Sequence, residues 1–391
     1  MLKFFENFRN TLPLTKNAVL PAIILAVSLV GFYAVENIPW STQLSLHAAF
    51  YIFIFSSLCI LIYFNKTKPV MFISFILLSY IICNFLKKEN GSDYISSPYY
   101  INLCVLVPFN LIIFYFLPQR KLFTRENLLI LLIVFFELSL YENLSSNDIL
   151  IGYSLLSQSY ADINRLGLLM FIIGTIIILL DASINGRILR SYLLFAYVEI
   201  MFGFIYSENS TALTVFYSAA TLTIFIGLCH DTYYETYKDV LTSLANRKSY
   251  VIQSSAFPLK YSVAIICIDD YERLNKGFSA SELNSLIKMA ANKIIEFEKD
   301  NPVYRYDKDL FIIIFKNEDK NDSFKRVEEI RRAIAGSEFV LGRRKKPVKL
   351  TVSGSIADKK RSDASSHEVL IRARKVLEKT NKFTQNITTR V

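Results

Sequence analysis

Apolar residues run in long, nearly unbroken blocks through the first 230 or so positions, then give way to short stretches separated by charged segments. Eight blocks can be read: Val19–Val35, Gln43–Phe64, Pro69–Leu86, Ile101–Leu117, Asn127–Tyr141, Leu166–Leu180, Ser191–Tyr206 and Thr211–Cys229. Most approach the ~17 to 25 residues of a spanning helix, and the fifth and sixth are short. The pattern predicts an α-helical transmembrane bundle of about eight spans over residues 1–229. Farther on, Tyr261–Ile268 is a continuous apolar run of buried-strand type, and Ser279 with Glu282 forms a capping box that opens a helix to about Glu298. A Val303–Tyr306 strand meets Leu310–Phe315 across a tight turn at Asp307 to Asp309. Asp322 is expected to cap a helix ending near Gly336, Val348–Ala357 to form one strand, and Ser366–Lys382 a final helix. Strands alternating with helices imply a sheet flanked by helices, an α/β domain over 242–391.

Charge sets the orientation of the membrane part. Lys3, Arg9 and Lys16 precede the first block, Lys66 and Lys68 follow the second, Arg120, Lys121 and Arg125 the fourth, and Arg187 and Arg190 the sixth. Alternate loops are therefore basic, which places both termini in the cytoplasm by the positive-inside rule. Glu36-Asn37-Ile38-Pro39-Trp40 is a poor small-residue cleavage site, so the first block reads as a retained helix. Glu137 and Glu199 lie within blocks. Each is either a sensor of ligand or proton, or a protonated carboxyl that packs helices. Few Pro or Gly interrupt the blocks and no half-to-half repeat is visible, which disfavours a transporter. Residues 230–241 continue the last block as a linker helix. Tyr233, Tyr237, Val240 and Leu244 carry coiled-coil spacing there, readable as a signalling helix or as an amphipathic linker packed on its own domain.

The formal net charge is +10, and most of the excess belongs to the part beyond residue 230. Two clusters stand out, Arg343-Arg344-Lys345-Lys346 with Lys349, and Lys359-Lys360-Arg361. They read as surfaces for anionic lipid, nucleotide or a protein partner, or as solvated loops; no nucleic-acid partner is expected. The five cysteines have no CxxC spacing and the three histidines are scattered, so neither a disulfide framework nor a zinc site is indicated.

Asp239-Val240-Leu241-Thr242-Ser243-Leu244-Ala245-Asn246-Arg247 is similar to the D-x-L-T-x-L-x-N-R opening of the GGDEF domain of bacterial diguanylate cyclases. The likeness continues in order: Cys267 to Asn275 falls on D-I-D-x-F-K-x-I-N, Asp307-Lys308-Asp309-Leu310-Phe311 on the signature itself, Thr351-Val352-Ser353 on T-V-S, and Ala373 to Asn386 on the closing helix. The resemblance implies a nucleotide-cyclase palm-like fold that dimerises, binds GTP with magnesium and makes cyclic di-GMP.

Several positions depart from that pattern. The first metal ligand of the family falls on Cys267, a soft donor for magnesium. Asp269 is two strand residues away, a displacement of ~7 Å. The glycines become Asp307 and Lys308, and the second acidic residue becomes Leu310. Asp309 alone is left as a weak metal candidate. Asn275 matches the guanine-binding asparagine, its aspartate partner falls on Asn284, and the phosphate-directed lysine falls on Asn381. The R-x-x-D feedback motif reads Glu298-Lys299-Asp300-Asn301. The expectation is a degenerate GGDEF member in a bacterial inner membrane, without catalytic residues or cofactor, that acts as a docking or dimerisation module. Its partners by analogy are an active cyclase or an exopolysaccharide machine, with homo- or hetero-dimers through the GGDEF-like domain. The alternatives are a weak diguanylate cyclase, for which magnesium would be needed, a phosphohydrolase using Asp309 and Asp269, and a nucleotide receptor anchored by Arg343 to Lys346.

Overall fold

The computed structural model describes residues 13–34, 39–64, 67–90, 98–117, 124–125, 160–206, 211–341, 347–381 and 383–391. The chain divides into two compact units, Met1–Asp231 and Thr232–Val391.

The first unit contains helices α1 (Pro13–Ala34), α2 (Trp40–Tyr63), α3 (Thr67–Asn90), α4 (Pro98–Phe116), α5 (Tyr160–Asn185) and α6 (Ile188–Ile205), with most of α7 (Ala212–Tyr237). Among the described residues five stretches are long and apolar enough to cross a membrane: Ser41–Tyr63, Pro69–Lys88, Gly167–Asn185, Ile188–Ile205 and Ala212–Tyr237. Asn17–Tyr33 and Leu103–Phe116 are apolar but shorter. The count of eight is thus not reached among these residues, and the block Asn127–Tyr141 with Glu137 lies outside them. The sixth block is longer than its apolar stretch suggested. α5 runs past that stretch to Asn185, and Asp181 within this extension pairs with Arg190 and accepts from Tyr115 Oη at 2.7 Å, so its charge is met inside the unit. Glu199 is fully buried and accepts from Thr223 Oγ1 at 3.1 Å. Large apolar side chains point outward along the helices, among them Val30, Phe55 and Leu180, as a hydrocarbon surrounding allows.

In the second unit a six-stranded sheet has the order β1-β3-β4-β2-β7-β8, from β1 (Ala245–Asn246), β2 (Tyr261–Ile268), β3 (Val303–Arg305), β4 (Leu310–Lys316), β7 (Val352–Asp358) and β8 (Thr388–Arg390). β5 (Glu338–Phe339) and β6 (Val348–Lys349) form a separate pair. Helices α8 (Arg247–Gln253), α9 (Tyr271–Gly277), α10 (Ala280–Phe297), α11 (Lys320–Ala335) and α12 (Ser366–Asn381) complete the unit. The central strands β2, β4 and β7 are buried on both faces because both are covered. Ala264, Ile266 and Ile268 of β2 join Phe311, Ile313 and Phe315 of β4 in the core under α10 and α11. Val263 and Ile265 join Leu310, Ile312 and Ile314 in the core under α12.

Three local expectations change. The residues Val348–Ala357 are not one strand, since Val348 and Lys349 pair with β5 while Val352 onward pairs with β2. The cap of α11 is Asp319, whose carboxylate accepts from Asn321 N and Asp322 N at 2.9 and 3.0 Å; Asp322 sits within the first turn. Helix α7 ends at Tyr237, so Val240 and Leu244 do not continue a seam: Val240 is 86% exposed and Leu244 is buried. The capping box of Ser279 and Glu282 is present, with α10 ending at Phe297.

Gly354 of β7 marks the tightest contact between sheet and α11. A Cβ there would lie 2.8 Å from Val327 Cγ1 and 3.5 Å from the Ile265 carbonyl oxygen. A branched side chain and a strand backbone yield little, so Gly354→Ala is expected to destabilise residues 232–391 by about 1–3 kcal/mol, measured by urea unfolding.

Candidate functional site

The hairpin between β3 and β4 is held by its own backbone and by one arginine. Tyr306 N and Asp307 N donate to the Leu310 carbonyl at 2.9 and 3.2 Å, and Asp307 Oδ1 accepts from Lys308 N at 2.8 Å. Arg305 Nη2 donates to the Lys308 carbonyl at 3.0 Å, and its Nη1 reaches Asp239 Oδ2 at 2.8 Å. Asp307 and Lys308 are exposed at the tip. Leu310 and Phe311 are buried on opposite faces of β4, so the position of the second signature carboxylate is occupied by core.

Strand register brings Cys267 to the same place. Cys267 pairs with Leu310 and Ser353, and Ile268 N donates to the Asp309 carbonyl at 2.9 Å. The Cys267 thiol donates to Asp309 Oδ2 at 3.4 Å. Burial, and then the adjacent Asp309 carboxylate, push the thiol well above its ordinary range, so it is a proton donor rather than a thiolate. Asp269 is 5% exposed and committed elsewhere, accepting from Ser353 Oγ at 2.7 Å and Asn386 N at 2.9 Å. Asn275 on α9 and Asn284 on α10 are both exposed. Among the described residues no group of three or more His, Cys, Asp or Glu is gathered to hold a metal ion. The cluster Arg343 to Lys346 lies outside the described residues.

Two further sets of contacts border the hairpin. Asn246 caps α8 by accepting from Ser249 N at 3.0 Å, and its amide donates to the carbonyls of Thr236 and Lys238 at 2.9 and 3.3 Å. Ser249 Oγ donates to the Tyr237 carbonyl at 2.6 Å, so the open C-terminal carbonyls of α7 are met by side chains of α8 and its cap. Burial alone would raise the Asp239 carboxyl, but hydrogen bonds from Arg305 and from Thr242 hold it below the usual carboxylate range. At the feedback-motif position, Glu298 is 2% exposed and anchors Arg326 Nη1 through both carboxylate oxygens at 3.1 Å, while also accepting from Asn301 N at 3.0 Å. The role of Arg305 was missed from sequence. Its signal was a lone basic residue two positions before the tip, with an aspartate at the start of the opening motif.

Residues 236–386 match the family model "Diguanylate cyclase, GGDEF domain". Among solved structures, the FimX GGDEF domain from Pseudomonas aeruginosa is 18% identical over 39% of this chain and 98% of its own, with a TM-score of 0.36. The coiled coil and GGDEF domain of DgcB from Caulobacter crescentus, in complex with c-di-GMP, is 22% identical over 42% of this chain and 90% of its own, with a TM-score of 0.38. SiaD of Pseudomonas aeruginosa, a diguanylate cyclase in complex with its activator SiaC, is 14% identical over 65% and 98%, with a TM-score of 0.39. No curated protein matches the sequence. The C-terminal unit carries a GGDEF domain, of the diguanylate cyclase family.

The closing segment of the domain is tied down through Glu328. Arg331 Nη1 donates to Asn386 Oδ1 at 2.6 Å, and Glu328 accepts from Arg331 and from Thr388 Oγ1. Hydrogen bonding from Arg331 holds the Glu328 carboxyl down to about 2 from an ordinary 4.5. A depressed carboxyl stabilises the fold above its unfolded value and loses that contribution as pH falls towards the folded one. Stability of residues 232–391 is therefore expected to decline between about pH 4.5 and about pH 2. Glu328→Gln should flatten that part of a melting-temperature profile, and an unchanged profile would refute the assignment. Independently, Asn246→Ala removes a helix cap and should cost about 1 kcal/mol in the same domain, read by chemical denaturation.

Proposed function

We propose that this chain is a signalling protein of a bacterial inner membrane whose GGDEF domain does not cyclise GTP. In this reading the domain serves as a docking or dimerisation surface within cyclic di-GMP signalling. The contact of the Cys267 thiol with Asp309 carries the proposal. Where the family's chemistry needs two hard oxygen donors, this chain offers one carboxylate and one protonated sulfur, and these residues do not fit magnesium. Leu310 cannot supply the missing oxygen, and Asp269 is engaged by Ser353 and Asn386. Side chains at Asp307 and Lys308 further obstruct the approach that bare backbone gives a nucleotide. Asn275 and Asn284 remain exposed and free to meet a guanine edge, so nucleotide contact without turnover is compatible with the proposal.

The location rests on the five long apolar helices, and the orientation on the alternation of basic loops, with both termini cytoplasmic. The partner is a second GGDEF domain, in another copy of this chain or in an active cyclase, or a component of exopolysaccharide machinery.

Purified residues 232–391 incubated with magnesium and GTP are expected to yield no cyclic di-GMP by mass spectrometry. Its formation, abolished by Asp309→Ala, would overturn the proposal.

A further inference from the structure

We propose a second site, an oligophosphate-binding cleft on the side of the hairpin that carries Arg305. An open cleft of about 440 Å³ lies between the last turn of α7 at Thr236, the start of α8 and the hairpin tip. That volume is within the range of small-ligand sites. Four cationic side chains border it, Arg247, Lys248, Arg305 and Lys308, against two carboxylates, Asp239 and Asp307.

The charges are not balanced internally. Asp239 is taken by Arg305 at 2.8 Å and by Thr242, so this pair is neutral on its own. Arg247, Lys248 and Lys308 then face Asp307 alone, an excess of two positive charges. Among the described residues none of these three cations makes an ion pair. The Arg247 guanidinium lies 4.8 Å from the Tyr306 ring centroid and the Lys248 ammonium 5.7 Å from that of Tyr237. A guanidinium held over a ring by cation–π attraction keeps N–H donors for bidentate contact with phosphate. Arg305, which borders the cleft, has its Nε buried without a hydrogen-bond partner.

Three uncommitted cations with a net excess of two match a diphosphate or triphosphate better than a monoanion. Because Arg247 already covers the Tyr306 ring, no base-stacking surface is offered, and recognition is of the phosphates. Cys267, Asp309, Asn275 and Asn284 do not line the cleft, so it shares the hairpin tip, Asp307 and Lys308, with the signature but not the metal or guanine positions. A ligand here ties the start of α8 to the hairpin through charges neither contributes alone.

The test is isothermal titration of inorganic pyrophosphate, without magnesium, into the full chain in phosphatidylcholine nanodiscs. Arg247 and Lys308 are both exposed, so an Arg247→Ala/Lys308→Ala variant leaves the core untouched. Binding is expected in the wild type and should weaken about tenfold or more in that variant. An Arg361→Ala variant, which removes a basic side chain that does not line the cleft, should bind as the wild type does. Absence of pyrophosphate binding, or equal affinity in the double variant, would overturn the site. Wild-type protein that ignores pyrophosphate yet binds phosphatidylglycerol vesicles through Arg247 and Lys308 would assign the cleft to lipid headgroups and overturn the soluble ligand.

Discussion

The pairing of Arg305 with Asp239 is the constraint on which the GGDEF domain's working edge depends. One guanidinium joins the turn that follows the last apolar helix to the tip of the β3–β4 hairpin, through a carboxylate on one side and a carbonyl on the other. The pair is largely buried, with side-chain exposures of 11% and 22%, so removing either member leaves the other charge without its counter-ion in a poorly solvated place. Asn246 and Ser249 add the second half of this joint by meeting the carbonyls that α7 leaves open. The opening motif is therefore held by a set of polar clasps, and the spacing of Asp239, Thr242 and Asn246 is the spacing of one tight turn and one helix cap.

Chemistry and architecture separate cleanly on the hairpin. Its architectural residues, Arg305, Leu310 and Phe311, are committed to an ion pair and to two cores. Among its chemical positions Asp307 and Lys308, together with Cys267 of the neighbouring β2, depart from the family pattern, while Asp309 keeps the signature's first acid. Glu298 shows the same separation at the feedback position. Where that pattern has an arginine directed at a ligand, this chain has a buried carboxylate that binds Arg326 and Asn301, so the position contributes to packing and cannot contribute a cation.

The extent to which the sequence was legible follows from how local each signal is. The strand Tyr261–Ile268 and the capping box at Ser279 were readable because an apolar run between polar flanks and a four-residue cap are complete in themselves. The break between Lys349 and Val352 was not, since only the choice of different partner strands divides that segment. The seam through Val240 and Leu244 failed for a related reason: Asp239 and Thr242 compete for the backbone and end the helix at Tyr237. At the site, register brings Cys267 against Asp309. The engagement of Asp269 by Ser353 and Asn386 joins residues far apart in the chain and had no local signature. In the N-terminal unit, apolar length located the described helices, whereas α5 runs on through Asp181, whose contacts with Tyr115 and Arg190 hydropathy does not register.

The two-faced burial of β4 has a bearing on how such a domain changes over time. A one-residue slip would exchange the sets headed by Leu310 and Phe311 between cores of different shape, so the strand is locked in frame. The tip it presents is exposed and contributes little to that lock. Residues at the tip can thus change identity without disturbing the scaffold beneath, so the fold places no constraint of its own on what the tip does.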